Sequence, residues 1–327
     1  MKKLQCLAMS FILVFGISAC KNTKEDANAK TEVFKVGIVQ IVEHPSLDTI
    51  RKATIKAIEK SDKNIDIIYK NASNDQSLLT TICQQFKDDE VDVMVAIATP
   101  SAMAAANFAS DIPVIFSAVS DPVGAGLVKN LEKPEGNITG TSDEIQVAMI
   151  LDLAMEMYPK TKTIGFLYNS GEANSMSHLK KVEAYAKQYK LEVIATPAVN
   201  TGEVQSATQT LIDKTDIIFA PNDNTIASTM DIVSTLTKKA KIPFFVGADS
   251  MVQDGGLASV GIDYEDLGSE SGNMVLQILN GKSPRDIPVK IFKENLNVYI
   301  NTAVAKAIGF DQLEDIKKQH KAVIEME

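Results

Sequence analysis

Hydroxyls, amides and a few carboxylates recur where short apolar runs end, and these are the side chains with chemistry to offer. Gln40 and Glu43 follow residues 35–39; the polar run Asn71 to Gln76, with Asn74 inside it, follows 65–69. Thr99 follows 93–97, and Ser117 and Asp121 follow 114–116. In the second half the corresponding positions hold Tyr168 and Asn169, then Asn222, Asp223 and Asn224, then Asp249. Such a set suits recognition of a small polar ligand by hydrogen bonding. Thr99-Pro100-Ser101 stands directly before a small-residue segment expected to be helical over 101–109. Backbone N–H groups and two hydroxyls there can receive a carboxylate or phosphate, or equally can cap their own helix. Asp223 has the same two readings before a helix beginning near Thr225. No clear helix is expected at once after Asp249, so its acid is available to a ligand ammonium or to solvent. On position alone, Thr99 and Ser117 are expected to hold a carboxylate and Asp249 an ammonium, with Asp223 in reserve. Phe116 reads as core and Tyr168, before Asn169, Ser170 and Gly171, as cleft-facing.

Catalysis lacks its parts. There is no Walker loop, no GxSxG and no metal-ligand cluster, and the three histidines, at 44, 178 and 320, are scattered. His44 precedes Pro45 in a loop expected at the cleft, yet no nucleophile accompanies it. The chain is therefore read as a binding protein without catalytic role, cofactor or metal.

The elements that must position these residues follow from periodicity. Short apolar runs alternate with amphipathic segments from Val33 onward, the pattern of βα units and a mainly parallel sheet. Strands are expected at 35–39, 65–69, 93–97 and 114–116, with helices near 46–60, 77–87 and 101–109. Leu47, Ile50, Ala57 and Ile58 share one face of the first helix while Arg51, Lys52, Lys56 and Glu59 lie elsewhere. The succession then repeats: VGIVQ at 36–40 is echoed by IGFLY at 164–168, DVMVAIATP at 92–100 by DIIFAPND at 216–223, and IPVIF at 112–116 by IPFFV at 242–246. Offsets of 128, 124 and 130 residues in one order imply two similar α/β lobes facing a cleft, where ligands bind beyond the carboxyl ends of the strands. A first lobe is expected over 33–142, completed by about 263–288, and a second over 143–262, completed by about 289–327. ASVGIDYEDLG at 258–268 and the strand-like VKIFKENLNVYI at 289–300 are candidates to cross between lobes and form a hinge.

Upstream of Val33 the sequence reads as an address. Lys2 and Lys3 precede an apolar run, Leu4 to Ile17, too short for a mature membrane span, and Ile17-Ser18-Ala19-Cys20 resembles the lipobox at which bacterial lipoproteins are cleaved and lipidated. A signal peptide is expected over 1–19, lipid on Cys20, and a polar tether to residue 32. Of three cysteines only Cys83 would remain free in the mature body, so no intramolecular disulfide is expected. Removing the leader takes away two lysines and no acid, moving the formal charge from −9 to −11. So acidic a surface argues against nucleic acid and against electrostatic binding to membranes. A DNA-binding headpiece, which a ligand-responsive repressor would need, has no counterpart in this N-terminal stretch.

Six motifs carry a family likeness: GIVQIVEHPSLD at 37–48, NASNDQS at 71–77, AIATPSA at 96–102, FSAVSDPVGAGLV at 116–128, GNITGTSD at 136–143 and PNDNT at 221–225. In order and over almost the whole mature chain, they resemble the ABC-transporter substrate-binding lipoproteins of the tryptophan- and tyrosine-binding group. The resemblance implies a type I periplasmic-binding-protein fold, two Rossmann-like lobes with parallel sheets joined by crossover strands. It also implies an extracytoplasmic, lipid-anchored monomer that captures a free amino acid, of aromatic type, for a membrane permease and its ATPase. Asn222 departs from the threonine expected in the last motif. A surface adhesin or sensor built on the same fold is the alternative.

Overall fold

The computed structural model describes residues 33–320 and 323–326; the expected signal peptide, Cys20 and tether lie outside the described residues. From Val33 the chain runs β1 (Val33–Gln40), α1 (Pro45–Glu59), β2 (Asn64–Asn71), α2 (Gln76–Asp88), β3 (Val93–Ile97), α3 (Thr99–Ala106), β4 (Val114–Ser117) and β5 (Ile138–Ser142). It continues through α4 (Val147–Met157), β6 (Thr163–Tyr168), α5 (Ala173–Tyr189), β7 (Glu192–Pro197), α6 (Val204–Ile212), β8 (Ile217–Ala220), α7 (Asn224–Ala227), α8 (Met230–Ala240), β9 (Phe244–Val246) and α9 (Asp249–Gln253). The last elements are β10 (Ala258–Gly261), α10 (Tyr264–Leu279), β11 (Lys290–Ile291), β12 (Asn297–Asn301), α11 (Thr302–Ile308), α12 (Leu313–Gln319) and β13 (Val323–Met326).

Two sheets result, ordered β11-β5-β4-β3-β1-β2 and β13-β12-β10-β9-β8-β6-β7. The internal order β4-β3-β1-β2 in the first matches β9-β8-β6-β7 in the second, strand for strand with the three sequence echoes. Every pairing is parallel except β10 with β12. Central strands such as β3, β4 and β8 are buried at every residue, as helices on both faces of a parallel sheet require. The fold is thus α/β with two Rossmann-like lobes.

The lobes are joined where the chain leaves one sheet for the other: after β5, between β10 and α10, and between β11 and β12. The run 289–300 is not one strand. Lys290–Ile291 pairs with β5 in the first sheet, whereas Asn297–Asn301 pairs with β10 in the second. The polar residues between them, including Asn295 at φ 55, make the turn that separates the two. β11 therefore adds to the first lobe, although residues from 289 onward were expected in the second.

After the second crossing, α10 returns to the first lobe and packs on α1. A side chain at Gly268 would place its Cβ 2.4 Å from the Ile50 carbonyl oxygen, and one at Gly272 would lie 2.6 Å from that of Thr54. Only glycine permits such an approach. Thr54 Oγ1 uses it, donating to the Gly268 carbonyl at 3.0 Å.

Two further expectations need correction. The helix expected at 101–109 begins at Thr99, because Ala98, at φ 75 and ψ 158, turns the chain sharply out of β3. A short helix, α9, begins at Asp249 itself, so that acid belongs to a first turn and not to a free loop.

Candidate functional site

Between the lobes lies a narrow cavity, lined by residues from both and from the crossings, the interlobe position at which small-molecule sites form. Its first-lobe wall is His44, Ser46 and Leu47 at the start of α1, Ala98 and Thr99 at the end of β3, and Ala118 after β4. The second lobe contributes Asn174, Asn222, Asn224, Ala227, Ala248 and Met251, and the crossings contribute Asp143 and Tyr264.

Local strain shapes the first wall. Ala98 and Ala118 both have positive φ, 75 and 56, in conformations that cost alanine energy and that gather at ligand clamps. Surrounding bonds enforce them: Ala98 N donates to the Ser117 carbonyl at 2.9 Å and Ala118 N to Thr141 Oγ1 at 3.3 Å. The sharp exit at Ala98 aims the N-terminus of α3 at the cavity, with Thr99 and Ser101 in its first turn. Both hydroxyls are buried without a hydrogen-bond partner.

Asp143 is the one carboxylate among the described lining residues, and no lysine or arginine lines the cavity. It accepts from Asn222 Nδ2 at 2.6 Å, Ser120 Oγ at 3.0 Å and Tyr264 Oη at 3.4 Å. Burial pushes its pKa up to about 6 against the pull of those bonds. Asn222 is held by backbone packing, since a Cβ on Gly247 would stand 2.4 Å from its amide nitrogen. Behind the second-lobe wall, Glu172 is buried and accepts from Asn224 Nδ2 at 2.6 Å, Asn174 Nδ2 at 3.2 Å and the N–H groups of Asn224 and Thr225. Burial, then the neighbouring Asp223 carboxylate, push Glu172 upward. The Oδ1 atoms of Asn174 and Asn222 and Nδ1 of His44 are likewise buried and unpartnered. A closed polar pocket with this many unused groups is one arranged for a ligand.

Several bonds cross between lobes around the cavity. Ser46 pairs with Ser250 through their hydroxyls, Asn74 Nδ2 donates to Thr225 Oγ1 at 3.3 Å, and Ser177 Oγ donates to Asp121 Oδ2 at 2.8 Å. The lobes are therefore closed on one another.

Of the residues singled out in sequence, Thr99, Asn222 and Asn224 line the cavity, as does His44, whose loop was expected at the cleft. The others do not, for separate reasons. Gln40 turns its amide to Val42 O and Asp48. Glu43 is exposed beside Tyr69 and Arg51. Asn74 bridges to Thr225, and Asn169 also donates to Thr225 Oγ1, at 2.8 Å. Ser117 is sealed under the wall, bonded to Ser271 at 2.7 Å. Tyr168, expected to face the cleft, packs instead in the second-lobe core with its ring 5.2 Å from Phe166, because its strand position alternates into the apolar face. Asp223 caps α7 through Ile226 N at 3.0 Å and takes Ser175 Oγ and Asn169 N, both at 2.6 Å. Asp249 accepts from Ser250 N at 2.7 Å, and burial raises its pKa to about 6.

Asp143 and Tyr264 escaped strand-end reasoning because they sit on crossings. Their only sequence signal is location, Asp143 closing GNITGTSD and Tyr264 lying in the run that leaves β10. Among the described residues no helix is long and apolar enough to cross a membrane, and no group of three His, Cys, Asp or Glu side chains could hold a metal.

Known proteins resemble this chain over nearly its full length. The tyrosine-binding protein of Clostridioides difficile is 40% identical over 324 residues, 95% of this chain and 94% of the relative. The ABC domain from Streptococcus pneumoniae in complex with L-Trp superposes with a TM-score of 0.85 at 38% identity, covering 90% of this chain and all of that one. A ligand-free, open structure of a substrate binding protein with adhesive properties from Clostridium difficile has a TM-score of 0.66 at 39% identity and the same coverage. Such proteins act outside the cytoplasm as the binding components of ABC transporters. The family model described as ABC transporter substrate binding protein matches residues 35–324, and with the two closed lobes and the cavity between them this shows that the chain belongs to the ABC transporter substrate-binding protein family.

Proposed function

We propose that this protein captures a free aromatic amino acid in the interlobe cavity and delivers it to the membrane permease and ATPase of an importer. The observation that carries this reading is the pairing, within one closed cavity, of a single buried acid, Asp143, with the N-terminus of α3. A zwitterion needs both. The ammonium is assigned to Asp143 with the unpartnered Oδ1 atoms of Asn222 and Asn174, and the carboxylate to Thr99 and the first-turn N–H groups of α3. Leu47, Ala227, Ala248, Met251 and the Tyr264 ring offer the apolar surface that an aromatic side chain requires. With no lysine or arginine in the lining and the His44 pKa held down to about 4, a multiply charged anion finds no cationic partner there.

Asp143 replaces Asp249 and Asp223 as the ammonium partner, since those two spend their carboxylates on α9 and α7. The relatives support the ligand class, one being named for tyrosine and another holding L-Trp. The higher TM-score to the L-Trp complex than to the open structure, at nearly equal identity, supports a closed form that opens to admit ligand. Attachment through lipid on Cys20 belongs to the same reading and rests on the lipobox-like approach to that residue. Adhesion gains nothing from a closed cavity, though the two roles can coexist.

Thermal-shift and calorimetric titration of the soluble chain from Lys21 with the twenty amino acids tests the proposal. Aromatic amino acids are expected to raise the melting temperature. Stabilisation by sugars or polyols with none by any amino acid would overturn it.

A further inference from the structure

His44 stands at the mouth of α1 with no role in the zwitterion contacts just described. It lines the cavity directly before α1, and the apolar members of the same lining include Leu47 from α1, Ala227 from α7 and Met251 from α9. Nε2 lies 3.5 Å from Asn224 Oδ1. The orientation of that amide is set from behind, because Asn224 Nδ2 donates at 2.6 Å to Glu172 Oε2, the oxygen that also accepts from Asn224 N at 3.1 Å and Asn174 Nδ2 at 3.2 Å; flipping it would set its oxygen against one already committed as an acceptor. Asn224 therefore presents an acceptor to His44, and Nε2 must carry the ring proton. Nδ1 is left as a bare lone pair, shut off from solvent and without a partner. Burial holds the imidazole pKa down to about 4, against the opposing effects of Asn224 and Asp48, so the ring is neutral at physiological pH.

We propose that His44 determines specificity by accepting, at Nδ1, a hydrogen bond from an O–H or N–H carried on the ligand's aromatic ring, so that tyrosine or tryptophan is selected over phenylalanine. The inference rests on the amino-acid reading above. Glu172 and Asn224 act as positioning residues, holding the tautomer that makes Nδ1 an acceptor. A phenyl ring would enter the same space but leave that lone pair buried and unsatisfied. Rejection by an unpaired polar group of this kind is stronger than rejection by shape alone.

Calorimetry with L-tyrosine, L-tryptophan and L-phenylalanine on the wild-type protein, His44→Leu and His44→Asn tests this. The wild type is expected to bind tyrosine or tryptophan about 10- to 100-fold more tightly than phenylalanine. His44→Leu should bring the three to within about threefold, mainly by weakening the better ligand; His44→Asn, which sets an amide near the place of Nδ1, should keep part of the gap. Equal wild-type affinity for all three would overturn the inference while leaving the amino-acid reading intact. A uniform loss across the three in His44→Leu would also overturn it, since His44 would then meet the part of the ligand they share. Failure of every amino acid to bind the wild type would remove the underlying reading and this one together. The wild-type comparison decides even where a variant does not fold.

Discussion

Replacing Asp143 by asparagine changes one atom of the cavity wall and removes its only described carboxylate. Asparagine keeps the shape and, through Oδ1, an acceptor for Ser120 or Asn222, so the wall should stand. The ligand ammonium, in contrast, loses its charge partner inside a closed site. Truncating one partner of a buried charge pair costs about 2–5 kcal/mol, so affinity at pH 7.5 should fall roughly 30- to several thousand-fold. The acid's own titration supplies a second handle. With its pKa raised to about 6, Asp143 is about nine-tenths ionised at pH 7 and about one-tenth at pH 5, so wild-type affinity should drop roughly tenfold across that interval. Stability of the ligand-free protein should move the other way. A carboxyl raised in the folded state from its ordinary 3.8 to about 6 favours folding below pH 4, and that contribution is lost as pH rises through 6. Its size is of the order of 3 kcal/mol. Calorimetric titration with tyrosine or tryptophan between pH 5 and 8, beside urea unfolding of the ligand-free protein, measures both trends. Near-wild-type affinity in Asp143→Asn, or a flat pH profile for the wild type, would refute the assignment of the ammonium.

Three further outcomes are expected. Thr99→Val should weaken ligand binding by about 1–2 kcal/mol yet leave urea stability of the ligand-free protein unchanged or improved, because the buried hydroxyl has no partner to lose. Gly272→Leu should destabilise the first lobe by about 1–3 kcal/mol or more in urea, since its Cβ alone would meet the Ala57 Cβ and the Thr54 carbonyl oxygen, both at 2.6 Å. Cys20→Ser in the native host should release the protein from the membrane fraction, as assayed by fractionation and intact mass.

The architecture was legible in sequence because it is written in periodicities that any solvent-exposed chain must obey. Apolar runs at nearly one offset, 36–40 with 164–168 and 112–116 with 242–246, became β1 with β6 and β4 with β9 in sheets of the same order. Thr99, Asn222 and Asn224 could be placed at the cavity because they end central strands, and a parallel sheet presents those ends on one edge. What the tertiary structure decided was the direction in which each side chain is used. Tyr168 ends a strand too, but its position in the pleat turns the ring into the core. Asp223 and Asp249 have the right charge, yet local helix starts consume it. Asp143 and Tyr264 come together only because two crossings, 121 residues apart in sequence, pass side by side between the lobes. The strain at Ala98 and Ala118 is likewise set by long-range bonds, to Ser117 and to Thr141, inside the first lobe. Composition and spacing record which groups a chain owns; only long-range packing settles which of them remain unpaired around one cavity.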